Sequence, residues 1–579
     1  MTTKITIDNV TSTLDTSEYF YNLVDERLAI KQPGYIFSPK FKNGFWDGKI
    51  HFFSEKTRTF PTGLLTKVCE IIKDVEPTEH IIFEDLRKPL IIPMPEEVWL
   101  FEPKAPNGVI TLRDYQYESV KQAIEKKRGI VNVATNGGKT EIASGIIKMI
   151  FPKMRKGQRI LFVTHSKELL HQSAERIERR LNIPVGKIGD GEWDLKPVTV
   201  MMIPTVSRHI KPPKVELTEK DYKGEMKSVK LLVDFLGDYV TKDGDNKKTL
   251  KNAVSVLEEQ KGKKRDQGAI DILTNIITNE KNDKAVYKVF TKMKKDLKAY
   301  EKKRMGKVME KHEEVKEMLE SAICFIGDEF HRASGDTWAN TLALCKNAVY
   351  RIGLTGTVDK KDETNVLKLY GCTGEILTKI SNEFLISQGF SAKPTIFLQE
   401  VREPSHIEGG SDYKKAYEKG IVENEYRNQM IIDKVTNKYF AEGKVCLIIV
   451  NRKKHGEAIM EGLEKNGVPC DFTHGSRKSE DRKQLLDDLS ESNLKVLIAT
   501  NILDEGVSVD GINMLVMAAG GRSFRQVLQR VGRGLRVKED GGGLEVYDFL
   551  DYTNKHLLKH SKERLEYYVD EKFDIKTIN

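Results

Sequence analysis

Seven consecutive residues, Ala134-Thr135-Asn136-Gly137-Gly138-Lys139-Thr140, have the side-chain types that phosphate chemistry needs. The two glycines let backbone N–H groups approach phosphate oxygens with no side chain in the way. Lys139 is a cation able to reach the β- and γ-phosphates of a nucleotide, and the Thr140 hydroxyl is a hard oxygen suited to Mg2+. The fit to G-x-x-x-x-G-K-[ST] is incomplete, because Val133 stands at the first glycine position. A lone turn of this kind also suits an ordinary surface loop, so other residues must decide.

Further candidates lie downstream and upstream. Asp328-Glu329-Phe330-His331 follows the apolar run 323–327. Carboxylates at the C-terminal end of a buried parallel strand sit beside the phosphate loop in doubly wound folds. There, Asp328 can hold Mg2+ through water, and Glu329 can orient or deprotonate an attacking water. Gln116, about twenty residues before the loop, can pair with both the donor and the acceptor on an adenine edge. In the stretch 526–536, Arg530, Arg533 and Arg536 are three apart, on one helical face, able to converge on a single anion.

These groups need strands and helices to bring them together. The run 129–133 reads as a strand, and 141–150 reads as a helix with Ile142, Ala143, Ile146, Ile147 and Ile150 periodic along it. Strand, tight loop and helix is the context a phosphate loop requires, and the helix N-terminus adds partial positive charge. The continuous apolar runs 160–164, 198–203, 323–327 and 352–354 read as buried parallel strands. A second α/β unit begins near residue 395, with strands at 445–450, 472–473 and 495–499 and no second phosphate loop. A helical tail, 554–572, closes the chain.

Two regions break this alternation. Residues 1–105 end in a proline-rich stretch, and within them 34–65 mixes glycine, proline and aromatics in a way that suggests short twisted strands and hairpins. Tyr35, Phe37, Phe41, Phe45 and Trp46 interleave with Lys40, Lys42 and Lys49. Most of the rings are expected in this small domain's core, and the mixture also suits nucleic acid, with Trp46 and Lys49 as candidate contacts. Residues 211–320 carry 27 Lys/Arg against 21 Asp/Glu and read as a charged helical module inserted between two strands of one α/β unit. That insert is either a solvated module with no site of its own or a basic arm for nucleic acid or a partner.

Composition sets the outer limits. At 579 residues the chain is long enough for three to four domains. Hydrophobic residues at 39% can build cores, and a net charge of +9 fits a polyanion partner without requiring one. The six cysteines form no C-x-x-C pair and no zinc spacing, and are expected to be reduced thiols. The N-terminus shows no signal-peptide pattern, and no apolar run approaches the length of a membrane span. The expected setting is cytoplasmic (the host cytoplasm if the chain is viral), with no membrane partner and a monomeric state.

The ordered set LRDYQ, ATNGGKT, VTHSKEL, DEFH, LTGT, ATNILDEGVSVD and QRVGRGLR resembles the motifs of superfamily 2 helicases. The segment PGYIFSPKFKNGFWDGKI and the ending YYVDEKFDIK narrow the resemblance to the bacteriophage UvsW-type recombination helicases. Two features depart from the pattern: Asn136, where a small residue is usual, and the insert. The resemblance implies an α/β fold of two RecA-like parallel-sheet lobes. A small N-terminal α+β domain would span 1–105, lobe 1 would span 106–385 with the helical insertion at about 211–320, and lobe 2 would span 386–552, followed by the tail 553–579. It implies ATP and Mg2+ as cofactors and a DNA partner, branched or at single-strand/duplex junctions, with RNA possible in R-loops. The implied activity is ATP-dependent remodelling of forks, Holliday junctions and R-loops in recombination, repair and replication. A duplex translocase without unwinding, an RNA helicase and a passive nucleic-acid clamp are the alternatives.

By resemblance, Arg113, Gln116, Gly137, Gly138, Lys139, Thr140, Asp328 and Gln529 bind the nucleotide, with Thr140 and Asp328 on the metal. Lys139, Glu329, Arg533 and Arg536 are catalytic, the two arginines acting as fingers from the second lobe. His331, Thr355 and Thr357 couple the nucleotide state to nucleic-acid grip. Thr205, His474, Thr500 and Gly506 contact nucleic acid.

Overall fold

The computed structural model describes residues 2–32, 34–134, 136–212, 221–260, 266–356, 362–391, 393–404, 412–500, 512–521 and 543–578. By packing, the chain divides into two compact units. One comprises 1–206 with 319–579, and the other is 207–318.

The first unit holds two α/β lobes, each on its own sheet. The lobe 1 sheet has eight strands. From edge to edge they are Glu192–Asp194, Gly186–Gly189, Val198–Met202, Arg159–Thr164, Ala322–Gly327, Tyr350–Thr355, Arg128–Val133 and Ile376–Ile380. Every adjacent pair is parallel except the outer hairpin, Gly186–Gly189 with Glu192–Asp194. The central strands are buried on both faces, which is why their sequences are continuous apolar runs rather than alternating ones. Ile142, Ile146 and Ile150 of helix Lys139–Ile150 pack into this core with Phe162, Ile326 and Ile352. Val98 and Leu100 join the same core.

The lobe 2 sheet has seven strands, all parallel: Asp471–Thr473, Val496–Thr500, Cys446–Val450, Met514–Val516, Glu545–Asp551, Thr395–Val401 and Asp574–Ile578. The expected helical tail is therefore longer in structural content than a helix. Helix Lys555–Asp570 is followed by the edge strand Asp574–Ile578, which pairs beside Thr395–Val401. Its sequence, DIKTI, has apolar residues only at Ile575 and Ile578, too sparse a pattern to read as a strand.

A buried ionic network locks the helix Lys555–Asp570 to the sheet. Arg564 donates from Nε to Asp548 Oδ2 at 2.8 Å and from Nη2 to the Phe549 carbonyl at 2.8 Å. The Tyr568 hydroxyl donates to the same Asp548 oxygen at 2.7 Å. Arg427, from helix Glu425–Glu442, donates to Asp551 Oδ1 at 2.9 Å and to the Ala518 carbonyl at 2.7 Å. All four charged side chains are 1% exposed or less. Burial raises the Asp551 carboxyl above its usual range, against the opposing pull of Arg427 and Arg564.

The N-terminal domain is a four-stranded mixed sheet, in the order Thr59–Pro61, Thr11–Asp15, Thr3–Ile7, Ile81–Asp85, with helices Glu18–Arg27 and Leu65–Val75. Ile5, Leu14, Val24, Phe60, Val68 and Ile72 form its core. The stretch 34–65 departs from its reading. Instead of hairpins throughout, it opens with a 3-10 turn, Tyr35–Phe37, and a short helix, Pro39–Lys42. Pro39 at the helix start is pre-set for that conformation, and Gly34 and Gly44 bracket the excursion at φ +76° and +72°. The rings are not core: Phe37 and Phe45 are 75% and 83% exposed, and Tyr35, Phe41 and Trp46 are only half-buried. Their spacing resembled strand alternation, but no strand carries them.

His51 ties the excursion back to the domain. Its Nδ1 lies 2.8 Å from Asp25 Oδ1 and its Nε2 lies 2.9 Å from Asp47 Oδ2. With a carboxylate at each nitrogen both ring nitrogens donate, which is the imidazolium form. The Asp25 hydrogen bond, with Asp47 behind it, raises the His51 pKa above its ordinary value against partial desolvation. A raised histidine stabilises the fold below its unfolded pKa of about 6.5 and loses that contribution as pH climbs through the folded value. An NMR titration of the His51 ring should give a midpoint above 6.5 that drops in Asp25→Asn. An identical midpoint in the variant would mean the contact does not form in solution.

The described residues of the second unit form the helices Glu225–Leu236, Asn246–Glu259, Gln267–Asn279 and the long Asp283–Glu320. Leu232, Leu236, Leu250, Leu273, Val286 and Phe290 build its own core.

Candidate active site

The lobe 1 sheet brings the candidate residues to one edge. Arg128–Val133, Tyr350–Thr355 and Ala322–Gly327 are consecutive neighbours, in register with Thr355 opposite Asn132 and Gly353 opposite Gly327. Their C-terminal ends therefore present the phosphate loop, Thr355 and Asp328-Glu329 side by side.

The loop itself accounts for the two unusual residues. Asn136 sits at φ +69°, the left-handed region that asparagine tolerates better than other side chains. Val133, at the position usually held by glycine, packs where a Cβ on Gly137 would fall, 2.2 Å from its Cγ1. Gly137 is thus forced to be glycine by the valine. Gly138, at φ +77°, caps helix Lys139–Ile150, and a Cβ there would lie 2.3 Å from Gln116 Nε2.

Lys139 Nζ is 2.7 Å from Glu329 Oε1, and both side chains are mostly buried. The second Glu329 oxygen is 3.4 Å from His331 Nδ1, and that same nitrogen is 3.2 Å from Thr355 Oγ1. Burial lowers the His331 pKa below its ordinary value, against the Glu329 carboxylate, which pulls it up, and with Lys139 and Arg332 adding to the lowering. Asp328 is buried. Its N–H donates to the Val163 carbonyl at 2.9 Å, and its Oδ1 accepts from the Glu329 N–H at 2.9 Å. Glu329 itself is at φ +47°.

Phe330 explains this sharp turn. Its ring is fully buried, against Gly327 and Gly353, where added Cβ atoms would come within 2.5 Å of it. Wedging the ring over two strands lifts the preceding carboxylates toward the loop. The signal was available, since Gly327 and Gly353 are glycines inside apolar strands, which mark close approach of another group.

Gln116 is held at both ends by the protein. Its Oε1 accepts from the Arg113 N–H at 3.0 Å, and its Nε2 donates to the Gly137 carbonyl at 3.2 Å. Tyr115, which sequence reasoning passed over, donates to the same carbonyl at 3.1 Å and packs against Phe384 and Phe390 of the segment joining the lobes. The Arg113 guanidinium lies 3.8 Å from the Phe390 ring centre. Glu141, also missed, braces the loop helix by accepting from Arg176 at 2.9 Å and Arg180 at 3.2 Å. Burial works against ionising Glu141, but the two arginines outweigh it and hold its pKa below the ordinary carboxylate value. A buried acid in the first turn of a helix is the sequence trace it leaves.

The remaining candidates are elsewhere. Thr205 is half-buried on the short helix Ile203–Val206, after strand Val198–Met202. His474 follows strand Asp471–Thr473 and Thr500 ends the adjacent strand Val496–Thr500, at the same end of the sheet, Thr473 being in register with Ala499. Desolvation lowers the His474 pKa. The Trp46 indole donates to the Lys49 carbonyl at 2.8 Å. Thr357, Gly506, Gln529, Arg533 and Arg536 lie outside the described residues.

For Mg2+, the donor set offered is Thr140 on the loop helix and the carboxylate of Asp328. No group of three or more His, Cys, Asp or Glu that could hold a metal ion is found among the described residues. A hydroxyl and a carboxylate are hard oxygen donors of the kind that Mg2+ takes.

Comparison with known families covers most of the motifs. The chain matches the "Type III restriction enzyme, res subunit" family over 109–235 and 244–360, the "Helicase conserved C-terminal domain" over 428–538, and "DNA helicase UvsW, N-terminal" over 5–81. It is 25% identical over 283 residues to "Putative helicase 22" of a Sulfolobus islandicus filamentous virus, covering 46% of this chain and 49% of that one. It is 24% identical over 276 residues to the "ATP-dependent DNA helicase uvsW" of Enterobacteria phage T4, covering 44% and 54%. The chain thus spans about half the length of these curated relatives. The crystal structure of T4 UvsW aligns over the whole of both chains at 19% identity, with a TM-score of 0.42.

Proposed function

This chain belongs to the superfamily 2 helicases, and from that premise we propose that it uses ATP hydrolysis to separate or migrate the strands of branched DNA. The observation that carries the ATPase part is the Lys139–Glu329 contact, with His331 linking Glu329 to Thr355 across neighbouring strand ends.

In this reading the ion pair is a resting latch. A γ-phosphate competes for Lys139, and as the lysine turns to it, Glu329 is freed to accept a proton from the attacking water. Mg2+, when bound, neutralises phosphate charge, and Thr140 and Asp328 are the residues that would hold it. His331, in contact with both Glu329 and Thr355, passes the change to Thr355. Arg533 and Arg536 would complete the charge stabilisation from the second lobe, an effect worth roughly 10³–10⁵ in rate for an arginine finger. Hydrolysis then releases the lobes, and backbone contacts through Thr205, His474, Thr500 and Gly506 turn the cycle into steps with little sequence preference. The branched-DNA part is supported by the N-terminal match to the UvsW family, with residues 1–105 as the branch-sensing domain. No described helix is long and apolar enough to cross a membrane.

The test is steady-state ATP hydrolysis with single-stranded DNA, blunt duplex, forked DNA, a four-way junction, an R-loop and single-stranded RNA. Forked DNA and the junction should stimulate most, and Glu329→Gln should lower kcat by about 10²–10⁴-fold on every substrate. The match to a restriction-subunit family favours one other reading, duplex translocation without unwinding. Equal stimulation by blunt duplex, with triplex displacement but no strand separation, would replace the helicase proposal with that one. A preference for RNA would replace its substrate.

A further inference from the structure

Charge in the insert is not spread evenly. Residues 211–320 hold 27 basic and 21 acidic side chains. Nine of the basic and three of the acidic residues lie in 283–304, leaving eighteen of each in the remainder. The entire excess of six positive charges therefore sits on the first part of one helix, Asp283–Glu320.

On that helix the lysines are ordered. Lys284, Lys288, Lys292, Lys295, Lys298 and Lys302 are all exposed. Their steps of four, four, three, three and four residues span eighteen residues, five turns of 3.6, so they form a row about 27 Å long on one side of the helix, within a band about 120° wide. The opposite face, Val286, Phe290 and Leu297, is buried in the bundle. Of the three acids in 283–304, Asp296 is exposed beside the row and the other two are engaged elsewhere in the unit. The Asp283 carboxylate accepts from the Lys247 N–H at 2.7 Å, and Glu301 accepts from the Tyr222 hydroxyl at 2.6 Å. Lys294, off the row, donates inward to the Gly237 carbonyl.

We infer that this lysine row is a second nucleic-acid-binding surface of the chain, holding the phosphate backbone of duplex DNA. The inference rests on the nucleic-acid reading above. The chemistry of the row selects its occupant. A protein interface is centred on aromatic or apolar anchors, and the row has none. Unstacked bases need rings to stack on, and no ring lies between the lysines. An interfacial membrane helix needs an apolar face to bury, and here that face is already inside the bundle. A line of lysines is left to meet a regular polyanion, without sequence preference and with strong salt dependence.

The experiment uses the full chain without nucleotide and a fluorescent blunt duplex of about 30 base pairs, with binding measured from low to high salt. One variant carries Gln at 284, 288, 292, 295 and 302. A control carries Gln at the exposed Lys223, Lys227, Lys242, Lys248 and Lys251 of the same unit. Glutamine keeps helix propensity close to that of lysine, and melting curves verify that both variants fold. The row variant should bind about tenfold or more weakly at 100 mM salt, with a log–log salt slope shallower by about four to five, and the control should differ little. Equal loss in both variants would reduce the row to general charge and overturn the proposal. So would unchanged duplex binding with lost binding to vesicles containing about one fifth phosphatidylserine. ATP hydrolysis without DNA should be the same in all three proteins, so failure here is separable from failure of the ATPase reading.

Discussion

Lys139→Met is expected to lower kcat for ATP hydrolysis by about 10²–10³-fold, the size of effect seen when one preorganised charge-stabilising group is removed from an active site. It should also lower stability by about 1–3 kcal/mol, because it strands the Glu329 carboxylate, mostly buried and 2.7 Å from the lost ammonium. The two effects separate in the double variant. Lys139→Met with Glu329→Gln removes the stranded charge, so urea melts should recover most of the lost stability. Hydrolysis should stay as slow as in the slower single variant, since residues acting as a unit do not add. Steady-state ATPase and equilibrium unfolding on all four proteins complete the cycle. Hydrolysis retained in Lys139→Met would remove the loop from the chemistry. Absence of stability rescue in the double variant would mean the pair is not coupled.

The largest stability effect should come from a residue no motif contains. Arg564→Met is expected to cost about 3–5 kcal/mol, because it leaves Asp548 charged and fully buried, with only the Tyr568 hydroxyl among its side-chain contacts described above. For a lobe of this size, that is a fall in melting temperature on the order of 10 °C. Asp548→Asn alone would be damaging for the reciprocal reason. Arg477→Met makes the comparison, since its partner Asp471 lies 2.8 Å away but both side chains are about one third exposed. Solvent screening there limits the cost to under about 1 kcal/mol. Calorimetry of the two variants should rank them clearly, and similar melting temperatures would contradict the burial of the network.

What the sequence made legible follows from which forces act locally. The strands Arg159–Thr164, Ala322–Gly327 and Cys446–Val450 are unbroken apolar runs, because both of their faces are covered, and such runs are visible without any tertiary information. The loop, Asp328 and Glu329 were legible for the same reason, as polar residues placed at the ends of those runs. Tyr115 and Glu141 were not, because their roles depend on partners 22 to 39 residues away in sequence, whereas Phe330 left a trace in the glycines of two strands. The rings of 34–46 misled because aromatic spacing alone does not distinguish a strand from a turn and a short helix on the surface. Arg564 could not be anticipated at all, since a buried arginine reads like any exposed one until its carboxylates are located.

The strand order of lobe 2 also bears on how the chain is made. Among the described residues Thr395–Val401 pairs with Glu545–Asp551 and Asp574–Ile578, and both are translated long after it. At roughly 5–20 residues per second, the nascent segment waits on the order of 10–40 s for its second partner to leave the ribosome. Until the first of those partners emerges, a hydrogen-bonding strand with buried-type residues at Ile396, Leu398 and Val401 stands with both edges open, and one edge stays open until the second follows. Lobe 2 therefore stands to gain from a chaperone that shields strand edges, or from a slower, colder expression host.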